Sequence, residues 1–319
     1  QNPDLVKLTL GPKEPWAYRN KMQMPVGGTK GDIQMGFYAM GSHDIVQGTN
    51  CPIQDEGNNI IAQACYQIAK EFDMEPYDEH TGKGVLRHII GRIGQSGWMI
   101  ILVTATEQLP HKEKWVEKLT ERIPQVETIV HNVNGKRTNV ILGPKNNILY
   151  GEGTITDHIK DLQFTLSPHS FFQVNPEQTT VLYDQALEYA DLKGDETVID
   201  AYCGTGTISL FLAHKAKHVI GIEIVEPAII NARENAQRNG YDNTEFIVGD
   251  AAVEMPKLYK AGVRPDVIVF DPIRAGCKEE VLTSAAGMEP KRIVYVSCNP
   301  ATMARDIEIL THYGYELKE

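Results

Sequence analysis

The second half of the chain alternates short apolar strands with amphipathic segments, and this pattern restricts its possible folds more than any other feature. The pattern predicts strands at 197–200, 218–223, 244–248, 267–270 and 292–297, and helices at 206–213 and 227–239. Strands that are apolar nearly throughout, with helices between them, are typical of a parallel sheet covered on both faces. We therefore predict an α/β fold with a doubly wound, mostly parallel Rossmann-like sheet.

The first half of the chain reads as a strand-rich α+β domain. Its predicted elements are helices 58–72 and 111–122 and strands 16–25, 32–40, 85–93, 97–105, 126–133 and 137–141. The last two strands flank Asn134-Gly135, a pair that favours a type I′ hairpin turn. We predict two domains, an α+β domain over 1–165 and the parallel-sheet domain over 166–319.

Charge is distributed unevenly along the 319 residues. The net charge of −11 divides into −2 for residues 1–165 and −9 for residues 166–319. A polyanion such as RNA would therefore have to contact a local basic patch rather than the field of the whole protein. An acidic enzyme with a small substrate is the alternative.

Cysteine usage and apolar runs indicate a cytoplasmic protein without a membrane span, which we expect to be a monomer. The five cysteines lack Cys-x-x-Cys spacing, which disfavours a disulfide framework and a structural zinc site. The longest apolar run, 98–103, is far shorter than the ~18 residues of a membrane-spanning helix. The start, Gln1-Asn2-Pro3-Asp4, does not resemble a signal peptide, and the missing initiator Met indicates a fragment.

A glycine-rich turn follows the first strand of the predicted parallel sheet. Gly204 and Gly206 would let the backbone approach a ligand, but Ser209 stands where a dinucleotide fingerprint has its third glycine, which disfavours NAD. Acids end the next two strands: Glu223 is placed to accept from ribose hydroxyls, and Asp250 to accept from an adenine amino group. The alternative is that these acids are helix caps or loop residues.

Two further segments could contact a substrate. In the turn 271–276, Asp271 could accept from a pyrimidine imide or a cofactor amino group, and Arg274 could hold the loop or contact phosphate; an ordinary Asp-Pro turn is the alternative. In 167–175, Phe171 or Phe172 could stack on a base and Gln173 could bond a base edge or a cofactor. Adjacent aromatics are also common in cores.

Cys298 directly follows the last apolar strand, in Ser297-Cys298-Asn299-Pro300. A cysteine at a strand end is often a small buried apolar residue. Beside a glycine-rich cofactor edge, however, a thiol suits one reaction in particular. A thiolate that attacks carbon 6 of a pyrimidine makes carbon 5 nucleophilic, so carbon 5 can accept a methyl group from S-adenosylmethionine.

These segments together resemble the S-adenosylmethionine-dependent RNA (uracil-5-)-methyltransferases, and more closely the branch that acts on 23S ribosomal RNA. The resemblance covers most of the chain and is carried by 167–175, 200–207, 221–223, 271–276 and 294–306, and more loosely by 18–21 and 47–53. The matching residues imply that Cys298 is the nucleophile and that the cofactor is surrounded by Gln173, Tyr202, Gly204, Gly206, Thr207, Glu223, Asp250 and Asp271. Phe171, Gln173, Asp271 and Arg274 would contact the substrate.

The resemblance implies a methyltransferase that makes 5-methyluridine in 23S ribosomal RNA, with an RNA-contacting central domain over 1–165 and a catalytic domain over 166–319. Transfer-RNA uracil methylation and a non-catalytic RNA-binding or folding factor are the alternatives. A small-molecule or adenine-N6 methyltransferase is disfavoured, because 271–274 reads Asp-Pro-Ile-Arg rather than Asn-Pro-Pro-aromatic.

Three departures from the family pattern are visible. Ile273 stands where a second proline is common. The family's catalytic base, a glutamate in a His-x-Glu segment, has no counterpart before Glu319, so we expect the carboxyl-terminal end to be missing. Cys51 matches the last ligand of the family's four-iron four-sulfur cluster, whose other three ligands would precede Gln1. We therefore expect no metal site in this chain and a cluster only in a longer one.

Overall fold

The computed structural model of the protein describes residues 5–319; residues 1–4, on which the signal-peptide prediction depends, lie outside them. The strands are β1 (Lys21–Thr29), β2 (Asp32–Tyr38), β3 (Ile45–Gln47), β4 (Leu86–Ile93), β5 (Trp98–Thr104), β6 (Val126–Val133), β7 (Lys145–Tyr150), β8 (Ile155–Ile159), β9 (Leu162–Leu166), β10 (Thr197–Asp200), β11 (His218–Glu223), β12 (Thr244–Val248), β13 (Val267–Phe270) and β14 (Arg292–Tyr295). The helices are α1 (Glu56–Glu71), α2 (Lys112–Arg122), α3 (Pro176–Ala190), α4 (Thr207–Ala213), α5 (Glu226–Arg238), α6 (Ala251–Lys260), α7 (Glu279–Gly287) and α8 (Pro300–His312). Within 5–319, no helix is long and apolar enough to cross a membrane.

The described residues form two compact units. The first unit holds residues 12–159 and 164–177, and the second holds 5–11, 160–163 and 178–319. The domain assignment over 1–165 and 166–319, with the roles attached to each domain, stays a prediction.

A seven-stranded sheet in the order β3-β2-β1-β4-β5-β6-β7 builds the first unit. All its pairs are antiparallel except β5 with β6, which are joined through α2 and run parallel. Both helices place apolar side chains in the same core as the sheet, including Ile61 and Ile68 of α1 and Trp115 and Leu119 of α2. The predicted helix at 58–72 is thus present as part of α1, and its apolar residues at helical spacing pack into this core. A separate two-stranded sheet pairs β8 with β9.

The predicted hairpin around Asn134-Gly135 is wrong. Residues 137–141 form no strand, and the antiparallel partner of β6 is β7. A type I′ turn needs positive φ at both central residues, and neither Asn134 nor Gly135 has it. Instead, the Asn134 Nδ2 donates to the carbonyls of Val140 and Ile141, and Arg87 donates to the Asn134 carbonyl, so these side chains hold the segment as a loop.

A five-stranded parallel sheet in the order β12-β11-β10-β13-β14 builds the second unit. Its strands are the five that the apolar runs predicted, which confirms the predicted fold class. The chain moves outward from β10 through β11 to β12, and then returns to add β13 and β14 on the other side of β10. A crevice forms at the carboxyl edge where the strand order reverses in this way, and α/β proteins bind ligands there.

Candidate active site

The glycine-rich turn between β10 and α4 depends on glycine at both predicted positions. Gly204 has φ of 54° and Gly206, the residue before α4, has φ of 82°, in the left-handed region that favours glycine. A Cβ added to Gly206 would lie 3.2 Å from the Ala232 Cβ and the Phe246 ring. A Cβ at Gly204 would have no atom within 4 Å, so this part of the turn is open to a ligand.

Three carboxyl groups gather at the carboxyl edge of the sheet. Asp200 is fully buried; its Oδ2 accepts from the Ser209 hydroxyl at 2.7 Å, and the backbone N–H of Tyr202 also lies near the carboxyl group. Burial raises the pKa of Asp200 to about 7, and the charges of Asp271 and Glu223 add to this rise. Burial also raises the pKa of Asp271 to about 6. A cationic ligand would stabilise the ionised forms of these acids.

Asp200 was not among the predicted cofactor residues, although its position at a strand end was visible in the sequence. Two properties of this carboxyl depend on the fold and are not visible in the sequence: it is buried, and no cationic side chain forms an ion pair with it among the described residues. Of the predicted acids, Glu223 is half-buried, and its Oε1 accepts from the Val225 N–H at 2.9 Å.

Asp250 is the cap of helix α6, as the alternative interpretation proposed. Its Oδ1 accepts from the Ala252 N–H at 3.0 Å, and its Oδ2 pairs with the Lys278 ammonium at 2.5 Å. The hydrogen bond from Lys278 lowers the pKa of Asp250. Contact between Asp250 and a cofactor stays a prediction.

Two predicted cofactor residues flank the glycine-rich turn. Tyr202 is half-buried, with its ring centroid 6.5 Å from that of Phe270. Burial raises the pKa of the Tyr202 hydroxyl, which therefore stays protonated. The Thr207 hydroxyl, in the first turn of α4, lies 3.0 Å from the Tyr183 hydroxyl.

Cys298 is the exposed member of the five free cysteines. It lies between the end of β14 and the start of α8, whose cap Asn299 accepts from the Ala301 N–H at 3.1 Å. Burial raises the thiol pKa of Cys65 and Cys203, and raises that of Cys277 to about 11. Those three thiols are therefore poor nucleophiles near neutral pH, and Cys298 is the accessible candidate.

Hydrogen bonds connect the Cys298 turn to the loop after β13. The Asn299 amide and the Thr302 hydroxyl both donate to the Arg274 carbonyl, at 3.1 and 3.2 Å. β13 and β14 are parallel neighbours, with Phe270 opposite Tyr295. The structure thus brings the loops that carry Asp271 and Cys298 together, while the Arg274 side chain is exposed.

The segment 167–175 belongs to the first unit. Phe172 is buried against Phe164, with ring centroids 5.6 Å apart, whereas Phe171 is 70% exposed and Gln173 is half-buried. The buried Arg92 guanidinium holds the segment by donating to the Ser170 carbonyl at 2.7 Å. The two adjacent aromatics therefore divide between the core and a surface on which a base could stack.

Cys51 is partly exposed, and its backbone N–H donates to the Asn59 side chain at 3.0 Å. Within residues 5–319, no three His, Cys, Asp or Glu side chains are grouped so that they could hold a metal ion. The iron–sulfur role of Cys51 in a longer chain stays a prediction.

Comparisons with known proteins show the family to which the chain belongs. Residues 192–313 match the sequence model of a methyltransferase domain. Proteins described as uncharacterized RNA methyltransferases, from Halalkalibacterium halodurans and Clostridium acetobutylicum, are 52% and 50% identical over 98% of this chain and 69% of their own lengths. The crystal structure of the Pyrococcus abyssi tRNA (uracil-54, C5)-methyltransferase with S-adenosyl-L-homocysteine superposes with a TM-score of 0.77. It is 26% identical, over 93% of this chain and 70% of that one. The chain therefore belongs to the RNA methyltransferase family, as its motifs predicted, while its place in the branch that acts on 23S ribosomal RNA stays a prediction.

Proposed function

We propose that this protein transfers a methyl group from S-adenosylmethionine to carbon 5 of a uridine in 23S ribosomal RNA, through a covalent adduct of Cys298. One observation carries the proposal: the exposed thiol of Cys298 lies at the same sheet edge as the glycine-rich turn and the three carboxyl groups. A methyltransferase that activates its substrate covalently needs a thiol and a cofactor site side by side.

Cys298, as the thiolate, forms a bond from its sulfur to carbon 6 of the uracil. The electrons of the 5,6 double bond move onto carbon 5 and the carbon-4 oxygen, which makes carbon 5 a nucleophile. Carbon 5 would then form a bond to the methyl carbon of bound S-adenosylmethionine as the bond from that carbon to the sulfonium breaks, and S-adenosylhomocysteine would leave. A general base then removes the proton from carbon 5, and the sulfur–carbon bond breaks as the double bond re-forms.

The acids of the site suit a cationic cofactor. The charges of Asp271 and Glu223 add to the burial that raises the pKa of Asp200, and burial alone raises the pKa of Asp271. S-adenosylmethionine carries an ammonium and a sulfonium charge, which would compensate these carboxylates. We assign Glu223 to the ribose hydroxyls and Asp250 to the adenine. Tyr202, Gly204, Gly206, Thr207, Asp271 and Gln173 would complete the cofactor surroundings.

We assign substrate contacts to four residues. Exposed Phe171 would stack on a base, and Gln173 would bond a base edge. Asp271 would accept from the uracil imide, and exposed Arg274 would contact a backbone phosphate. A flipped uridine suits the chemistry of Cys298, since the reacting carbon is inaccessible within a stacked strand. A monomeric protein in the cytoplasm remains our prediction.

Methylation of transfer RNA is a second candidate, because the solved structural relative is named as a tRNA (uracil-54, C5)-methyltransferase. Both candidates share the chemistry of Cys298 and differ in the RNA that is bound. A non-catalytic RNA-binding or folding factor is the third candidate, and it would form no covalent adduct.

Covalent trapping on 5-fluorouridine RNA tests the proposal. Fluorine at carbon 5 cannot leave as a proton, so the adduct persists and appears as a denaturation-resistant protein–RNA band. We expect a band with a 23S fragment and S-adenosylmethionine, its loss in Cys298→Ser, and its retention in the control Cys51→Ser. A Cys298→Ala variant that keeps full methyl transfer would overturn the assignment. A band with transfer RNA alone would favour the second candidate.

A further inference from the structure

The mechanism above leaves unused a fully buried carboxylate, that of Asp306 in α8. Its Oδ2 accepts from the backbone N–H of Cys277 at 2.7 Å and from the Tyr295 hydroxyl at 2.5 Å. Its Oδ1 accepts from the Arg305 guanidinium at 2.6 and 2.8 Å. The carboxylate thus connects α8 with the end of β14 and with the end of the loop after β13.

Arg305 extends the same connection. Its Nη2 also donates to the carbonyls of Ala275 and Cys277, at 3.0 and 3.2 Å. The loop therefore donates one hydrogen bond through the Cys277 N–H to Asp306 and accepts two at its carbonyls from Arg305, which precedes Asp306 in α8. Together with the bonds from Asn299 and Thr302 to the Arg274 carbonyl, they make a polar clamp along 274–277.

The backbone passes so close to this clamp that only glycine fits at position 276. A Cβ on Gly276 would lie 2.6 Å from both the Asp306 Oδ2 and the Arg305 Nη2, and the residue has φ of 77°. Close approach and positive φ both exclude a side chain here. The loop and the carboxylate are therefore fitted to each other, rather than in contact by chance.

An apolar side chain at this buried position would stabilise the fold at least as well as Asp306, because the desolvation of a buried charge offsets most of its electrostatic gain. The clamp lies beyond the ends of the strands. β13 ends at Phe270 and β14 at Tyr295, so the loops that carry Asp271, Arg274 and Cys298 follow the last residues of these strands. The conformation of these loops must be set by contacts outside the strand ladder.

We propose that Asp306 is a positioning residue that fixes the Cys298 turn against the loop 271–277, so that the nucleophile and the substrate-facing groups keep one geometry. This inference rests on the proposed function. A misplacement of about 1 Å in a reacting group costs on the order of 10²-fold in rate. Loss of the clamp should therefore slow adduct formation even when RNA and cofactor are saturating.

The experiment compares Asp306→Asn with Glu308→Gln, the same acid-to-amide change at an exposed position of the same helix. An amide presents donors toward the Arg305 guanidinium or the Cys277 N–H, and so breaks half of the clamp. The first readout is the rate of 5-fluorouridine adduct formation at saturating RNA and S-adenosylmethionine. We expect Asp306→Asn to lower it roughly 10- to 100-fold, and Glu308→Gln to leave it within about twofold.

The second readout is hydrogen exchange of the intact protein, which does not depend on the reaction. We expect exchange in 272–278 to speed up about tenfold in Asp306→Asn, with β10 and β13 unchanged, as in a local opening. Equal acceleration across the whole sheet would mean general destabilisation and overturn the positioning role, as would an adduct rate equal to wild type.

Two further variants keep the test decisive if Asp306→Asn does not fold. Arg305→Ala removes a half-exposed side chain, so the protein should fold, and we expect slower adduct formation and faster exchange in 272–278. Gly276→Ala forces the loop away from the carboxylate and should act in the same direction. Wild-type values for both variants would overturn the inference. Absence of an adduct from the wild type would overturn the proposed function instead, while exchange would still test the clamp.

Discussion

With Asp271 at the cofactor, as proposed above, its raised pKa predicts that S-adenosylmethionine binds more tightly as pH rises through about 6. The cofactor keeps its positive charges between pH 5 and 7, and it is attracted to the ionised carboxylate only. With a pKa of about 6, Asp271 is about nine-tenths ionised at pH 7 and one-tenth at pH 5. Affinity should therefore fall about tenfold over this range, which is about 1.4 kcal/mol.

Asp200 increases the effect, because its pKa of about 7 leaves it mostly neutral at pH 5. The stability of the cofactor-free protein changes with pH in the opposite direction to its affinity for the cofactor. A carboxyl whose folded pKa is raised above the usual 3.8 contributes fully below that value, and loses its contribution as pH rises through its folded pKa. The cofactor-free protein should lose stability from these two groups between about pH 4 and 7, and a bound cation should restore it.

Calorimetric titration with S-adenosylmethionine at pH 5, 6 and 7 and constant ionic strength measures the slope of cofactor affinity against pH. Asp271→Asn and Asp200→Asn should each flatten it. Asp250→Asn is the matched control, because Lys278 already lowers the pKa of Asp250 and keeps it ionised over this range. An affinity that does not change with pH, or a slope that survives both substitutions, would refute a role of buried carboxyls in cofactor binding.

Two other predictions concern single side chains. Phe172→Ala should cost about 3–5 kcal/mol of unfolding free energy because Phe172 is buried against Phe164. Phe171→Ala should leave stability within about 0.5 kcal/mol yet weaken RNA binding by about 1–3 kcal/mol if a base stacks there. Urea denaturation measures the effect on stability, and filter binding the effect on RNA affinity. Equal destabilisation by Phe171→Ala and Phe172→Ala would contradict the assignment of Phe171 to the surface and Phe172 to the core. Gly221→Ala should destabilise by about 1–3 kcal/mol, since its Cβ would lie 2.6 Å from the Phe246 ring and 2.9 Å from the Cys203 sulfur. The denaturation midpoint checks this, and an unchanged midpoint would contradict it.

The parallel sheet could be predicted from the sequence because its strands are short runs of buried apolar residues, such as Val267–Phe270, separated by helices. Burial on both faces leaves a signal in every residue of such a strand. The glycine-rich turn was predictable for a different local reason: glycine at 204 and 206 marks a backbone conformation that other residues avoid.

The parts that escaped prediction depend on contacts distant in sequence. Arg87 holds the loop at 134–141 by donating to the Asn134 carbonyl, and nothing in the sequence around Asn134-Gly135 indicates this contact with a residue so distant in the chain. The parallel pairing of β5 with β6 is likewise a matter of tertiary packing. Asp306 resembles any helix acid in the sequence, and only the fold shows that it is buried and bonded to residues 277 and 295.

The return of the chain from β12 to β13 has a consequence for synthesis on the ribosome. β10, β11 and β12 emerge in order and can pair at once, but the other edge of β10 is covered only when Val267 comes opposite Val198. At the usual pace of translation, the segment from 249 to 267 takes roughly one to four seconds. During that interval an apolar strand edge is open to wrong pairing. We therefore expect the growing chain to need a chaperone most at this stage, before Cys298 has been synthesised.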